Sequence, residues 1–505
     1  MALNPSVSNE KRELGHLDHP KEVHTPPSPD FSGEEPRQNV MFADIDEGYD
    51  PAFIRSTIRK VDLRLVPVLS LMYCISLIDR TNLGLARQAN NLKMHKQLDL
   101  SGGNGQRFSI ATLVFFIPYI ILEIPSQLGL RKFGARWWLG IATILWGVVT
   151  VAIGFSPNWQ TLAGLRALLG VFEATLFPGA AFLIACWYPR RSMALRMSTF
   201  YILSVTVSGF GAAMAYGLSM LDGRNGHAGW TWIFIVQGII TIGIGILSIL
   251  FLVDFPDKAT FLTEEQKELV ITRIQRDRAD AVVDPMTKAK FFEYLGTAKL
   301  WLFAYMFMCG TVASYSLAYF LPRILAEMGF SNMMSQLLVV PPYVWCLFPA
   351  VTSAYIADKV KGARSYAIVF NICCLIAGTA MYSQISKTKQ AARYAGVFLA
   401  IGGSNSFLPL VVSWSQTAIR AQSKRGYASA LIIAFGGVGG IVASVAFQEK
   451  EAAKGFPSGI YLTLAMNAAN VVAVIALRFW MKWKNSRADQ GLCVIEGNPD
   501  FRYQL

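Results

Sequence analysis

Charge is what this chain has least of. Asp, Glu, Lys and Arg make up only 16% of its 505 residues, hydrophobic residues make up 53%, and the mean hydropathy is +0.38. An ordinary soluble domain carries about 25% charge. Folding around soluble cores is thereby excluded, and the chain reads as a polytopic membrane protein. Histidine is also scarce: His16, His19, His24, His95 and His227 all fall outside the long apolar runs. Any proton chemistry inside a membrane must therefore rest on carboxylates. The seven cysteines show neither a disulfide framework nor metal-ligand spacing and read as small hydrophobes. No loop holds a nucleophile–base pair, a phosphate-binding glycine loop or a metal cluster, so neither an enzyme nor a bound cofactor is expected. Residues 1–50 lack the apolar core of a signal peptide and are rich in charge and proline. They predict a disordered cytoplasmic tail, with Thr25 and Ser28 as candidate phosphorylation sites or as inert positions.

Long apolar runs, by contrast, are plentiful. Stretches near 20 residues, enough to cross a core of roughly 30 Å, predict twelve spans near 62–85, 107–130, 137–155, 160–187, 195–221, 229–253, 298–322, 333–358, 364–386, 391–419, 427–447 and 459–483. They divide six and six around a polar segment. The expected organisation is a tail (1–54), a six-helix bundle (55–253), a cytoplasmic linker (254–297), a second six-helix bundle (298–483) and a C-terminal tail (484–505). In the linker, Thr263 and Gln266 have capping-box spacing ahead of an amphipathic stretch. Basic clusters follow the even-numbered spans, as in Arg131, Lys132, Arg136 and in Lys359, Lys361, Arg364, which places both termini in the cytoplasm. The formal charge of +13 is thus explained by topology rather than by nucleic acid. The clusters after spans 2 and 8 echo one another, the trace of an internal repeat.

Span 1 carries Asp79 and Arg80 side by side. The apolar run before them is too short to cross alone, so the helix continues through the pair and places Asp79 about 21 Å above Leu65. Ionisable residues at that depth are costly and read as functional. Span 4 carries Arg166 and Glu173 two turns apart on one face, with Arg166 level with Asp79. Arg80, with its planar fork, is a candidate anion site, and Asp79 and Glu173, with Arg166 in the same network, are candidate proton-coupling groups. A static ion-pair lock between helices is the other reading of these residues. Tyr119, Tyr315 and Tyr319 are weaker candidates for substrate contact, and Glu123 for packing or an inner gate.

Several segments together resemble one family: Ile78-Asp79-Arg80-Thr81-Asn82-Leu83-Gly84, Leu169-Gly170-Val171-Phe172-Glu173-Ala174 with Phe177-Pro178-Gly179, Trp187-Tyr188-Pro189-Arg190-Arg191, Tyr319-Phe320-Leu321-Pro322, Val340-Pro341-Pro342-Tyr343 and Ala357-Asp358-Lys359. The chain resembles the major facilitator superfamily, and within it the anion:cation symporters, nearest the fungal allantoate, nicotinate, pantothenate and biotin permeases, over roughly residues 55 to 485. The resemblance implies an all-α fold of two six-helix bundles and alternating access. It implies import of a small organic anion with protons, driven by the proton gradient, in a functional monomer at the plasma membrane. Members that import sugar acids use the motif Asp and Glu for protons and the Arg for substrate. The resemblance assigns Arg131, Lys132, Arg136, Asp358, Lys359 and Arg364 to the gate, with Arg131 standing where the superfamily usually has Asp. Span 10 departs from the fungal pattern: after Trp414 this chain has Gln416, Thr417 and Ala418 where adjacent asparagines are common, which places Trp414 and Gln416 among the substrate candidates. A proton antiporter for drugs or metabolites and a transporter-like nutrient receptor are the alternatives. Span 5 lacks the proline such antiporters usually carry.

Overall fold

The computed structural model describes residues 45–88, 93–100, 106–278, 286–386, 388–447 and 455–505. The candidate phosphorylation sites Thr25 and Ser28 lie outside them. Among the described residues regular structure is helical, apart from one isolated bridge between Ile495 and Asn498.

Twelve helices are long and apolar enough to cross a membrane. In chain order they are span 1 (Pro51–Arg87), span 2 (Ile110–Phe133), span 3 (Ala135–Gly154), span 4 (Trp159–Trp187), span 5 (Met193–Ser219) and span 6 (Gly229–Phe251). After the linker come span 7 (Ala298–Glu327), span 8 (Val340–Lys359), span 9 (Arg364–Gln384), span 10 (Gln390–Thr417), span 11 (Gln422–Ala446) and span 12 (Pro457–Asp489). Glycine sets the closest packing. A Cβ on Gly147 of span 3 would sit 2.9 Å from the Ile242 backbone nitrogen of span 6, and one on Gly238 of span 6 would sit 2.7 Å from the Val151 nitrogen of span 3. Apolar side chains gain little by leaving lipid, so helices in a membrane associate where small residues let their backbones approach.

The linker forms two helices, Glu264–Arg278 and Lys288–Leu295. The first opens on a reciprocal capping box: the Gln266 amide N–H donates to Thr263 Oγ1 at 3.3 Å, and the Thr263 N–H donates to Gln266 Oε1 at 3.4 Å. The second, beyond the single linker helix expected, opens on an N-cap at Thr287, whose Oγ1 accepts the Lys290 backbone N–H at 3.3 Å.

Both described chain ends lie on one face. Asp46 pairs with Arg273 of the linker at 2.7 Å, and the chain after span 12 folds back across the bundle ends. There Glu496 meets Lys299 at 2.5 Å and Lys424 at 3.1 Å, and Trp414 Nε1 donates to the Gln504 carbonyl at 2.8 Å. Burial alone would raise the Glu496 carboxyl, but the two ammonium groups outweigh it and hold it below the ordinary glutamate range.

On this terminal face the bundles are closed against each other. Asp358, at the end of span 8, accepts the backbone N–H groups of Ala194 (3.2 Å) and Leu195 (2.8 Å) and also pairs with Arg364 at 3.2 Å. A carboxylate from one bundle thus caps the positive N-terminus of span 5 in the other. Gln422 of span 11 reaches Cys186 of span 4 at 3.6 Å across the same seam. Asp358→Asn keeps one acceptor but loses the charge. Charge-assisted hydrogen bonds contribute about 1.5–3 kcal/mol each, so the variant is expected to raise terminal-face opening about tenfold. The measurement is the rate at which a permeant maleimide labels Cys186, read by peptide mass; an unchanged rate would mean that Asp358 does not hold the seam.

Candidate functional site

Span 1 enters at the terminal face and carries Arg80 past mid-membrane, into a cavity of about 100 Å³ between the bundles. The lining runs along span 1 from Tyr73 to Leu85 and continues through Ala212, Pro322 and Val339, so the cavity leads toward the face opposite the chain ends.

Arg80 is 5% exposed and engaged on three sides. Its Nε pairs with Glu173 Oε1 at 2.5 Å, Nη1 donates to the Tyr315 hydroxyl at 2.6 Å, and Nη2 donates to the Tyr119 hydroxyl at 2.9 Å. The guanidinium also lies over the Tyr119 ring, 4.7 Å from its centroid. Ser76, one turn toward the terminal face, donates to the same Glu173 oxygen at 2.5 Å. Glu173 Oε2 has no hydrogen-bond partner among the described residues. Three spans of one bundle and span 7 of the other therefore converge on one guanidinium.

Local sequence explains the convergence. Span 4 is interrupted just after Glu173, its helices being Trp159–Glu173 and Leu176–Trp187. The two intervening residues keep helical dihedrals, so this is a kink ahead of Pro178. On span 11, Gly440 leaves room where a Cβ would meet the Phe116 ring at 2.8 Å and Tyr315 at 3.3 Å, so rings from spans 2 and 7 can meet over it.

Other sequence candidates are placed elsewhere. Adjacent residues on a helix point about 100° apart, and Asp79 faces away from the cavity into its own bundle. It accepts from Trp146 Nε1 (3.0 Å), Thr241 Oγ1 (3.1 Å) and Asn82 Nδ2 (3.2 Å). Arg166 is 2% exposed behind Phe115, 5.3 Å from that ring, with Nε and Nη1 lacking hydrogen-bond partners among the described residues. Tyr319 stacks on Tyr315 at 5.8 Å without lining the cavity, and Glu123 is fully buried one turn from Tyr119. Trp414 and Gln416 are not brought to the cavity. Trp414 is tied to the C-terminal segment, and Gln416 donates to Ser429 Oγ at 3.0 Å and to the Arg425 carbonyl at 3.4 Å.

Of the gate residues, Asp358 and Arg364 bridge the bundles, with Arg364 also reaching the Arg190 carbonyl at 3.5 Å. The others stay within one bundle or at its surface. Arg131 stacks on Phe182 and Phe255, Arg136 donates to the Ile249 carbonyl, and Lys132 and Lys359 are exposed beside Phe133 and Tyr355. The cavity is completed by residues that sequence reasoning did not select, among them Tyr73, Phe177, Tyr201, Phe307 and Asn405. Asn405 carried a usable signal: an amide at the centre of span 10 is costly in hydrocarbon. Gln416 lies 11 residues further along the same helix, about 16 Å nearer the terminal face.

Comparison with known proteins agrees with this architecture. The family model described as Major Facilitator Superfamily matches residues 69–444. The MFS transporter prlL of Fungal sp. (strain NRRL 50135) is 28% identical over 454 residues, covering 89% of this chain and 91% of that one. The inner membrane transport protein RhmT of Escherichia coli is 27% identical over 420 residues, covering 82% and 93%. Among solved structures, the proton:xylose symporter XylE bound to 6-bromo-6-deoxy-D-glucose superposes with a TM-score of 0.60 at 15% identity, covering 89% of this chain and 98% of that one. That last likeness is one of fold.

Proposed function

The chain belongs to the major facilitator superfamily and is a membrane transporter, and from that premise we propose that it imports a small organic anion together with a proton. The observation that carries this reading is the Arg80–Glu173 pair, whose Arg80 lines a cavity leading away from the terminal face. While Glu173 is ionised, the pair is neutral and the guanidinium is occupied. Protonation of Glu173 releases Nε and leaves Arg80 as an uncompensated cation, which a carboxylate then satisfies with its planar fork. The Tyr119 and Tyr315 hydroxyls accept from Arg80 and have their own protons to donate to the same carboxylate. One proton and one anion enter together, so the loaded site is as neutral as the empty one. An uncompensated buried charge is costly, so the neutral states are the ones that can cross.

Tyr315 belongs to the second bundle, so a bound anion links the two halves, and their rocking exchanges the Asp358 closure for one on the opposite face. Asp79, held by three uncharged donors, is a second proton site within the first bundle. With both termini cytoplasmic and the protein at the plasma membrane, the open face is extracellular and the direction is inward. No cofactor enters the scheme; the proton gradient is the driving force, and a monomer suffices.

The test is uptake of labelled carboxylates, including vitamins, ureides and sugar acids, into transporter-deficient yeast. Accumulation of at least one compound, abolished by a protonophore, is expected. Uptake of none, with the protein present at the cell surface, would overturn the reading in favour of export or sensing.

A further inference from the structure

We propose that the substrate is a small monocarboxylate whose body is a flat aromatic ring, and that polyhydroxylated acids are excluded. This rests on the carboxylate reading above and narrows it.

Charge sets the first limit. Arg80 is the single charged side chain among the described residues that line the cavity. Arg166 is screened from it by Phe115, and Asp79 faces the other way. One guanidinium whose counter-ion is one carboxylate matches one negative charge on the ligand. A second carboxylate would lie in the cavity without a partner, which is strongly unfavourable at low dielectric.

The hydrogen-bond inventory sets the second. Beyond the two tyrosine hydroxyls on Arg80, most polar groups of the lining are committed to the protein itself. Thr81 donates to the Ile78 carbonyl at 3.0 Å, Ser208 to the Val205 carbonyl at 2.8 Å and Thr311 to the Met308 carbonyl at 2.9 Å. Asn405 gives its Nδ2 to the Ile401 carbonyl at 3.0 Å and accepts the Tyr201 hydroxyl at 3.2 Å. Ser314 Oγ has no partner among the described residues, and Tyr73 and Tyr343 add two further hydroxyls to the lining. A sugar acid brings a hydroxyl on nearly every carbon, each needing a donor and an acceptor to replace water. The committed hydroxyls can still accept, but Ser314, Tyr73 and Tyr343 are few free donors for that number, and each unmet group counts against binding.

Shape sets the third. Beside Arg80 the wall is a cluster of rings: Phe177 lies 4.6 Å from Tyr73, 6.0 Å from Tyr201 and 6.3 Å from Phe307, the last across the seam between bundles. Such surfaces reward a planar π face through area and ring geometry. The space of about 100 Å³ is well below the roughly 300–1,000 Å³ of drug-sized sites. It therefore suits one ring rather than a large amphiphile.

The experiment is isothermal titration of the purified full-length protein at pH 6 with benzoate, gluconate and tartrate, on wild type and on Phe307→Ala. Benzoate is expected to bind at least about tenfold more tightly than either hydroxy acid, the equivalent of about one unmet hydrogen bond. Phe307→Ala should shrink that preference by weakening benzoate alone. Tighter binding of gluconate or tartrate would overturn the aromatic assignment and leave the carboxylate reading standing. Binding of none of the three, by protein that melts cooperatively, would overturn both. Equal losses for all three ligands in Phe307→Ala would assign that ring to packing and overturn its part in selectivity.

Discussion

Replacing Arg80 with lysine is expected to raise the KM for the anion about 100-fold while leaving the amount of protein at the membrane nearly unchanged. The ammonium can keep the ion pair with Glu173, because that contact needs one charged donor. It cannot also span the Tyr315 and Tyr119 hydroxyls, which the guanidinium meets at 2.6 and 2.9 Å from separate nitrogens. A point charge therefore loses the two-pronged grip on a carboxylate. Hydrogen bonds to charged groups contribute about 1.5–3 kcal/mol, and a loss near the upper end corresponds to about two powers of ten in affinity. The measurement is the concentration dependence of uptake, with surface protein quantified in parallel. A KM within a few-fold of wild type would remove Arg80 from the substrate site and leave it a lock between helices.

The second large effect is expected at Glu173. Glutamine there mimics the protonated acid: it is neutral, of the same length, still able to accept from Ser76, and without the charge that holds Arg80 Nε. Arg80 is then without its counter-charge throughout, so anion binding should persist. Exchange of labelled for unlabelled substrate across the membrane should persist, since it requires no net proton movement. Net accumulation should vanish. For one proton per monoanion, a gradient of one pH unit supports about tenfold accumulation, and the variant should fall to a ratio near one. Accumulation that survives in Glu173→Gln would transfer the coupling to Asp79, whose own partners Trp146 and Thr241 make it testable in the same assay.

In the proposed scheme the two variants separate binding from coupling because both functions are assigned to one pair of side chains. That economy also explains why a lock and a transport site are hard to tell apart from residues alone. In the resting arrangement Arg80 and Glu173 are a buried ion pair between spans 1 and 4. What distinguishes a site from a lock is that the other two guanidinium nitrogens point at hydroxyls in an open cavity, one of them from the opposite bundle.

The spans themselves were legible in the sequence, because the solvent imposes them. A backbone crossing hydrocarbon must satisfy its own hydrogen bonds, so apolar runs near 20 residues become helices whatever surrounds them. The same argument made Asp79, Arg80, Arg166 and Glu173 conspicuous, since an ionisable group in such a run must be used or paired. The capping box at Thr263 was local and equally readable. What sequence could not supply was which face of each helix looks at which neighbour. Asp79 and Arg80 are adjacent in the chain, yet one turns into its bundle and the other into the cavity. Arg166 and Glu173 share a helix face, and only Glu173 reaches Arg80. Depth misled at span 10, where the polar residues near Trp414 lie beyond the cavity floor and Asn405, earlier in the helix, lines it. In span 11, glycines decided which rings could meet. Hydropathy depends on the residue and its solvent, and so composition alone determined that this is a membrane-spanning helical chain. Helix rotation and close approach depend on the summed packing of twelve spans, and so only the tertiary structure decided that Arg80, Glu173, Tyr119 and Tyr315 meet beside one cavity.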